Sequence, residues 1–334
     1  MNKRVAVVIL NWNGEKLLRE FLPSVIRNTN PELGRVIVVD NHSSDNSWGC
    51  LEREFAGVER VLFEDNFGFA GGYNRAIGMI EAEYVVLLNS DVEVAPGWLE
   101  PLVDALDRER QVVAVQPKIL AYREKGKFEY AGASGGFIDY LGFPFCRGRV
   151  LDSTEFDTGQ YDDEKEVFWA TGAALCIRRE QYMASGGLDE AFFAHMEEID
   201  LCWRLKNSGY ILKVVPSSVV YHLGGGSLPM NHPRKLFLNY RNNLLMLHKN
   251  LGGASREKVF FIRSLLDCMA GMLFLLKGEF SNTRSIIQAY KAFRKMKKGY
   301  PVPSEAGSHA GIYPRSIILD YFLRGKKKFS DLKF

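Results

Sequence analysis

Three observations predict an α/β protein built on a mostly parallel sheet flanked by helices, with a helical C-terminal extension. Val5 to Leu10 and Val36 to Val39 are continuous apolar runs, rich in β-branched residues, that stop at Asn11 and Asp40, as strands buried on both faces do. Between them Leu17, Leu18, Phe21, Leu22, Val25 and Ile26 recur at helical spacing, giving a β-α-β unit with parallel strands. The alternation then repeats as far as residue 108.

The elements follow in order. Val58 to Phe63 reads as a short strand, Gly72 to Glu81 as a helix, Tyr84 to Leu88 as a buried strand and Trp98 to Arg108 as a helix. After a strand at Val112 to Val115 the rhythm breaks, and residues 126–163 read as loops and short strands rich in Gly, aromatic and acidic residues. Phe168 to Ile177 resembles a strand turning through Gly172, and Ile211 to Val215 another. The helices Arg179 to Ser185 and Ile199 to Ser208 end at Gly186-Gly187 and Gly209, the expected stop signals. From Pro233 onward only helices are expected: Leu236 to Leu247, Arg256 to Leu276 and Thr283 to Lys298. The boundary falls near Asn250 to Ala254, dividing the chain into residues 1–250 and 251–334.

Ligands of an open parallel sheet collect at the carboxyl ends of its strands, where loops diverge and helix N-termini point outward. Four polar segments fall there: Asn11-Trp12-Asn13-Gly14, Asp40 to Asp45, Asn66 to Arg75, and Asn89-Ser90-Asp91. Any one alone reads as a turn, since Asn, Asp and Gly make turns; four in succession along one rim point to a binding edge. A dinucleotide fold needs G-x-G-x-x-G after the first strand, where this chain has Asn-Trp-Asn-Gly, and the glycines at 68–72 lack both G-x-G and a P-loop Gly-Lys-Ser/Thr. What remains is a nucleotide held by side chains, with Asp40 accepting from a pyrimidine N–H and a metal on the phosphates.

These residues, in this order, resemble family 2 glycosyltransferases of the GT-A (nucleotide-diphospho-sugar transferase) fold, in particular their rhamnosyltransferase-like branch. The resemblance rests on Asn11-Trp12-Asn13, Val39-Asp40-Asn41-x-Ser43-x-Asp45, Asn66-x-Gly68-Phe69-Ala70-x-Gly72-x-Asn74 and Leu87-Leu88-Asn89-Ser90-Asp91. It continues through Gly186-Gly187-Leu188-Asp189-Glu190, Phe192-Phe193, Met196 to Arg204, and Tyr221-His222 followed by Gly224-Gly225-Gly226, covering residues 4–250. It implies an inverting transfer of a hexosyl or rhamnosyl unit from a UDP- or dTDP-linked sugar to a glycan or lipid-linked glycan acceptor, in polysaccharide biosynthesis. Asn11, Asn13, Asp40, Asn66, Gly68, Asn74, Asn89 and Asp91 would contact the nucleotide sugar, and Asp91 and His222 would hold Mn²⁺ or Mg²⁺. Asn89 stands where the family's D-x-D motif has its first Asp, which lowers the expected metal affinity. Glu198 occupies the general-base position, and Asp200 the cap of the same helix. Arg241-Asn242-Asn243 is a recurring family element without an assigned role. A nucleotidyltransferase would need a basic Gly-rich signature after the first strand, absent here; a catalytically silent sugar-nucleotide-binding or scaffold protein is the alternative that Asn89 keeps open.

Composition agrees. The 334 residues are 46% hydrophobic and 25% charged, with 43 Lys+Arg against 40 Asp+Glu, so neither disorder nor nucleic acid binding is expected. Five Cys form no C-x-x-C pair, and reduced thiols are the simple reading. The N-terminal apolar run is too short for a secretory signal, which places the chain in the cytoplasm. Cys268 to Leu276 is a nine-residue apolar run, about half the ~20 residues of a span, so no transmembrane helix is expected. Lys291, Arg294, Lys295, Lys297, Lys298 and Lys326-Lys327-Lys328 form a basic tail after residue 290, suited either to peripheral contact with the inner membrane face or to a packed helical subdomain or homodimer contact.

Overall fold

A computed structural model describes residues 3–224, 232–253, 256–304 and 310–334. Gly225 and Gly226 of the glycine run, and Ala254 at the expected boundary, lie outside the described residues.

The central sheet has ten strands: β1 (Val5–Asn11), β2 (Gly34–Asp40), β3 (Glu59–Leu62), β4 (Tyr84–Asn89), β5 (Val92–Val94), β6 (Val112–Ala121), β7 (Glu124–Phe128), β12 (Lys165–Glu166), β13 (Ala174–Arg178) and β14 (Ile211–His222). Their order is β12-β14-β6-β13-β4-β1-β2-β3, with β5 on β14 and β7 on β6. The strands β3-β2-β1-β4 are parallel; β13 enters antiparallel to both β4 and β6, so the far half of the sheet is mixed. A second sheet, in the order β11-β10-β9-β8-β15, comprises β8 (Gly136–Asp139), β9 (Pro144–Cys146), β10 (Arg149–Val150), β11 (Ser153–Thr154) and β15 (Ile312–Tyr313).

β1 shows why the parallel strands read as unbroken apolar runs. Ala6 and Val8 face one core, with Tyr73, Ala76 and Ile77 of α3 (Gly68–Met79). Val5, Val7 and Ile9 face another, with Leu18, Leu22 and Val25 of α1 (Glu15–Asn28) and Leu102 of α4 (Glu100–Arg108). Both pleat faces lose water, at roughly 1.5–3 kcal/mol for each large apolar side chain. Trp169 is core: its indole N–H donates to Phe137 O at 3.0 Å, and a Cβ on Gly136 would fall 2.1 Å from its ring, so only glycine fits there.

Several elements differ from the expectation. α2 (Ser47–Glu54) follows the polar loop where no element was expected, α3 begins four residues early at Gly68, and Phe168 to Ala173 is a loop leading into β13. α5 (Arg179–Ala184), α6 (Glu197–Asn207), α7 (Pro233–Asn250), α8 (Arg256–Leu276) and α9 (Phe280–Met296) match the expected helices within a few residues. Strands do not end at Pro233, because β15 pairs in parallel with β8, and α10 (Ile317–Leu323) follows it. α8, where no span was expected, has 21 residues that are long and apolar enough, by length and composition alone, to cross a bilayer. Arg263 and Asp267 interrupt the apolar sequence without ending the helix, so an uninterrupted count understates it. Nor is the basic tail a free arm. Lys326 Nζ sits 3.0 Å from Asp320, and Phe329 and Phe334 pack tilted and edge-on against Phe137, with ring centroids 4.9 and 5.2 Å away.

Candidate active site

The register of the parallel strands builds the binding rim. Asn11 is paired with Asp40 and Leu10 with Asn89, so three strand ends finish level on one edge. Asp40, 1% exposed, accepts from Asn11 Nδ2 at 3.0 Å and from Ser43 N at 2.8 Å. The same bond turns Asn11 Oδ1 into a buried acceptor with no protein donor, and a Cβ on Gly14 would fall 2.3 Å from it. Asn13, in the left-handed region at φ 52°, accepts from Ser44 N at 2.7 Å and shapes the loop after β2. Asn66 accepts from Asn41 Nδ2 at 3.0 Å and from Gly68 N at 2.8 Å, fixing the entry to α3; Gly68 has φ +69° and open space around it.

Asn74, expected to contact the nucleotide sugar, is bonded within the protein. Its Oδ1 accepts from Tyr182 OH at 2.7 Å and Leu188 N at 3.0 Å, and its Nδ2 donates to Leu188 O at 2.8 Å. Both ends of the amide are engaged, so it clamps α3 to the Gly186-Gly187-Leu188 turn.

Asp91 and His222, 131 residues apart, meet because β5 and β14 pair with Val92 opposite His222. Asp91 Oδ1 lies 3.1 Å from His222 Nε2, and Glu129 Oε2 lies 3.4 Å from Nδ1 on the other side of the ring. Burial would disfavour the imidazolium, yet bonding and charge from Asp91 and Glu129 outweigh it and raise the His222 pKa to about 10. Burial likewise pushes the Asp91 carboxyl up, but His222 overcomes it and leaves Asp91 below its ordinary value. In metal-free protein, therefore, the raised His222 contributes stability that is complete below 6.5 and lost as pH climbs through about 10; the depressed Asp91 contributes stability present above 3.8 and lost in acid. Thermal melts in chelator should show His222→Gln least stable relative to wild type between pH 4 and 6.5, the gap closing toward pH 10; a constant gap would refute the ion pair.

These residues also pass a test for a divalent cation. Oxygen and imidazole suit Mn²⁺ or Mg²⁺, which would take the two atoms once the proton between Asp91 Oδ1 and His222 Nε2 is released. Among the described residues no three His, Cys, Asp or Glu side chains are grouped to hold a metal, so a diphosphate would have to supply further oxygens.

The second half of the site is a strained loop. Phe193, His195 and Met196 have φ of 66°, 68° and 74°, directly before α6. Non-glycine residues resist this region, and three in four positions need outside support. Asn242 provides it: Nδ2 shares its two hydrogens among the carbonyls of Phe192 (2.9 Å), Ala194 (2.7 Å) and His195 (2.8 Å). Arg241 Nη2 donates to Phe192 O at 2.7 Å and Nε to Asn242 Oδ1 at 2.8 Å. The Arg-Asn element thus holds the loop by its backbone. Asp200 does not cap α6; buried in its first turn, it accepts from Arg204 Nε (2.9 Å), Lys249 Nζ (2.8 Å) and Asn250 Nδ2 (2.8 Å).

The loop delivers Glu197 and Glu198. Glu198 is half-buried beside Gly172, whose added Cβ would lie 3.6 Å from Glu198 Cβ and 3.5 Å from the Phe69 ring. The next residue, Ala173, accepts from Asn89 N at 3.0 Å, so Glu198 stands next to the rim at the end of β4. Its Oε2 has no hydrogen-bond partner. Burial raises both glutamates; Glu197, 5% exposed, is raised further because the Glu198 charge adds to burial. Glu197 Oε2 is likewise buried without a partner; of the pair, Glu198 is the more exposed side chain. Sequence reasoning missed Glu129 and the work of Asn242, because neither a carboxylate in an irregular segment nor an Asn within a helix has a periodic signature.

Comparison with known proteins agrees with this fold. The sequence profile of Glycosyl transferase family 2 matches residues 6–160. N-acetylglucosaminyl-diphospho-decaprenol L-rhamnosyltransferase of Mycobacterium tuberculosis is 26% identical over 265 residues, 74% of this chain and 85% of that protein. Rhamnosyltransferase WbbL of Escherichia coli is 21% identical, over 65% of this chain and 83% of its own. Among solved structures, GalNAc-T7 with UDP, GalNAc and Mn²⁺ superposes with TM-score 0.60 at 17% identity, over 90% of this chain but only 59% of that one. Staphylococcus aureus TarS 1–349 gives TM-score 0.57 at 17% identity, covering 88% and 80%. At these identities the structures share the fold.

Proposed function

From the premise that this chain belongs to glycosyltransferase family 2 and has the GT-A fold, we propose that it transfers a rhamnosyl or related hexosyl unit, with inversion, from a UDP- or dTDP-linked donor to a glycan on a lipid carrier. The observation that carries this reading is Glu198, a half-buried carboxylate with a free oxygen beside the rim that ends in Asn89 and Asp91. The nucleoside lies along Asn11, Asp40 and Asn66, and the diphosphate against Asp91 and His222. Glu198 Oε2 takes the proton of an acceptor hydroxyl, whose oxygen bonds to the anomeric carbon as the bond to the diphosphate breaks on the opposite face. A bound Mn²⁺ or Mg²⁺ on Asp91 and His222 would neutralise charge on the departing diphosphate. Arg241 and Asn242 keep Glu198 in place. The names of the mycobacterial and E. coli relatives support rhamnose as the sugar, and the former supports a polyprenyl diphosphate acceptor.

The test is calorimetry of UDP and dTDP with and without metal, joined to a screen of nucleotide sugars for turnover. Metal should tighten nucleotide binding about tenfold or more, and Asp91→Ala should remove that gain. Nucleotide affinity indifferent to both chelator and Asp91→Ala would overturn the metal role.

A further inference from the structure

α8 is amphipathic in the wrong sense for a helix in water. Its buried residues are Val259, Arg263, Asp267 and Gly271, one stripe at four-residue spacing, with both charged residues only 2% exposed. The outer face is apolar: Phe261 (65%), Leu265 (51%), Met269 (55%), Met272 (56%), Leu273 (57%) and Leu276 (85%) all face outward. A soluble helix turns its apolar stripe inward. Polar bonds prevent that here. Arg263 Nη1 donates to Leu141 O (3.0 Å) and Asn243 Oδ1 (2.5 Å), its Nη2 lies 3.6 Å from Asp267, and Tyr290 OH donates to Asp267 Oδ2 at 2.7 Å. Rotating α8 to hide its leucines would strand a buried ion pair.

We propose that this outer face, extended by Phe280 and Ile287 of α9, is a docking surface for an anionic lipid bilayer, lying in the interface plane. Charge selects the occupant. Residues 256–298 hold ten Lys or Arg against three Asp or Glu, and Asp267 is neutralised internally by Arg263. Lys277, Arg284, Lys291, Arg294, Lys295 and Lys298 are exposed on or directly beside the same two helices, where headgroups would meet them. A second copy of the chain would bring two such cationic hairpins together, like charge against like. Crossing the bilayer would tear Arg263 from Leu141 and Asn243, which belong to the body of the enzyme. The surface is therefore α8 and α9, and the folded-back Lys326 to Lys328 tail is not part of it.

The placement has a consequence that rests on the proposed transfer reading. Asn243, bonded to Arg263, follows Asn242, which holds the loop carrying Glu198; the docked face thus backs the acceptor side of the site.

Flotation of the full chain with vesicles of phosphatidylglycerol and phosphatidylcholine, at low salt and without nucleotide, tests the surface. Wild type should float, Leu265→Glu/Met269→Glu should lose at least about tenfold in binding while its thermal melt is unchanged, and Lys327→Glu/Lys328→Glu should bind within about twofold of wild type. The inference is overturned if wild type stays unbound, if the double variant in α8 floats equally, or if the tail variant loses binding. It is also overturned if ultracentrifugation shows a wild-type dimer that the α8 variant abolishes while vesicles are ignored. Vesicle binding without turnover of any nucleotide sugar would sink the transferase reading and leave the surface standing.

Discussion

Glu198→Gln is expected to reduce transfer by roughly 10²- to 10⁴-fold, the usual contribution of a positioned base, while donor binding changes little. The amide keeps the size of the carboxylate and removes the basic oxygen that has no partner in the protein. Glu197→Gln should cost far less: Glu197 is the more deeply buried of the two, and burial together with the charge of Glu198 raises its pKa. Because burial raises Glu198, the acid limb of the rate profile should lie above 4.5, the ordinary glutamate value, and should vanish in the Gln variant's residual rate. Single-turnover rates with saturating donor, measured across pH for both variants, decide this. If Glu197→Gln proves the more damaging, the base is one residue earlier than the geometry indicates.

Asn242→Ala should be the most damaging substitution outside the cleft. It removes the hydrogen bonds to Phe192, Ala194 and His195 and leaves three carbonyls of a strained loop without that donor. At about 1 kcal/mol for each of the two hydrogens shared among them, the stability loss is on the order of 2 kcal/mol, Phe192 O keeping its bond from Arg241. The relaxed loop would also move Glu198, and a displacement near 1 Å is worth about 10²-fold in rate. The expected signature is a large fall in kcat with donor affinity retained, since the nucleotide rim is built on β1, β2 and β4 and does not use this loop. Thermal melts and donor titrations on one preparation separate the two effects; a variant with normal kcat would show that the positive-φ conformation of Phe193, His195 and Met196 is maintained without Asn242.

What the sequence determined by itself is the first half of the sheet and the ordered motifs along its rim. Val5 to Leu10 and Val36 to Val39 are legible because burial on both faces demands unbroken β-branched runs, and Asn11, Asp40 and Asn89 follow them at positions that parallel register brings level. The later elements were harder. β15 is two residues long, too short for any periodic pattern, and forms only because β8 offers an edge. Asn74 reads as part of a glycine-rich binding motif, yet its partners lie more than a hundred residues away in Tyr182 and Leu188.

Only the tertiary structure decided which polar residues share a site. Asp91 meets His222 because β5 pairs with β14, and Glu129 joins them because its own N–H bonds to Ile119 in the strand next to β14. The orientation of α8 was likewise decided in three dimensions: its composition is that of a buried or membrane helix, but hydrogen bonds from Arg263 to Leu141 and Asn243 choose which face turns inward. Local patterns encode the burial of a segment, since that depends on its own side chains. Pairing between distant segments depends on partners no window contains, and the chemistry of this site lies in those pairings.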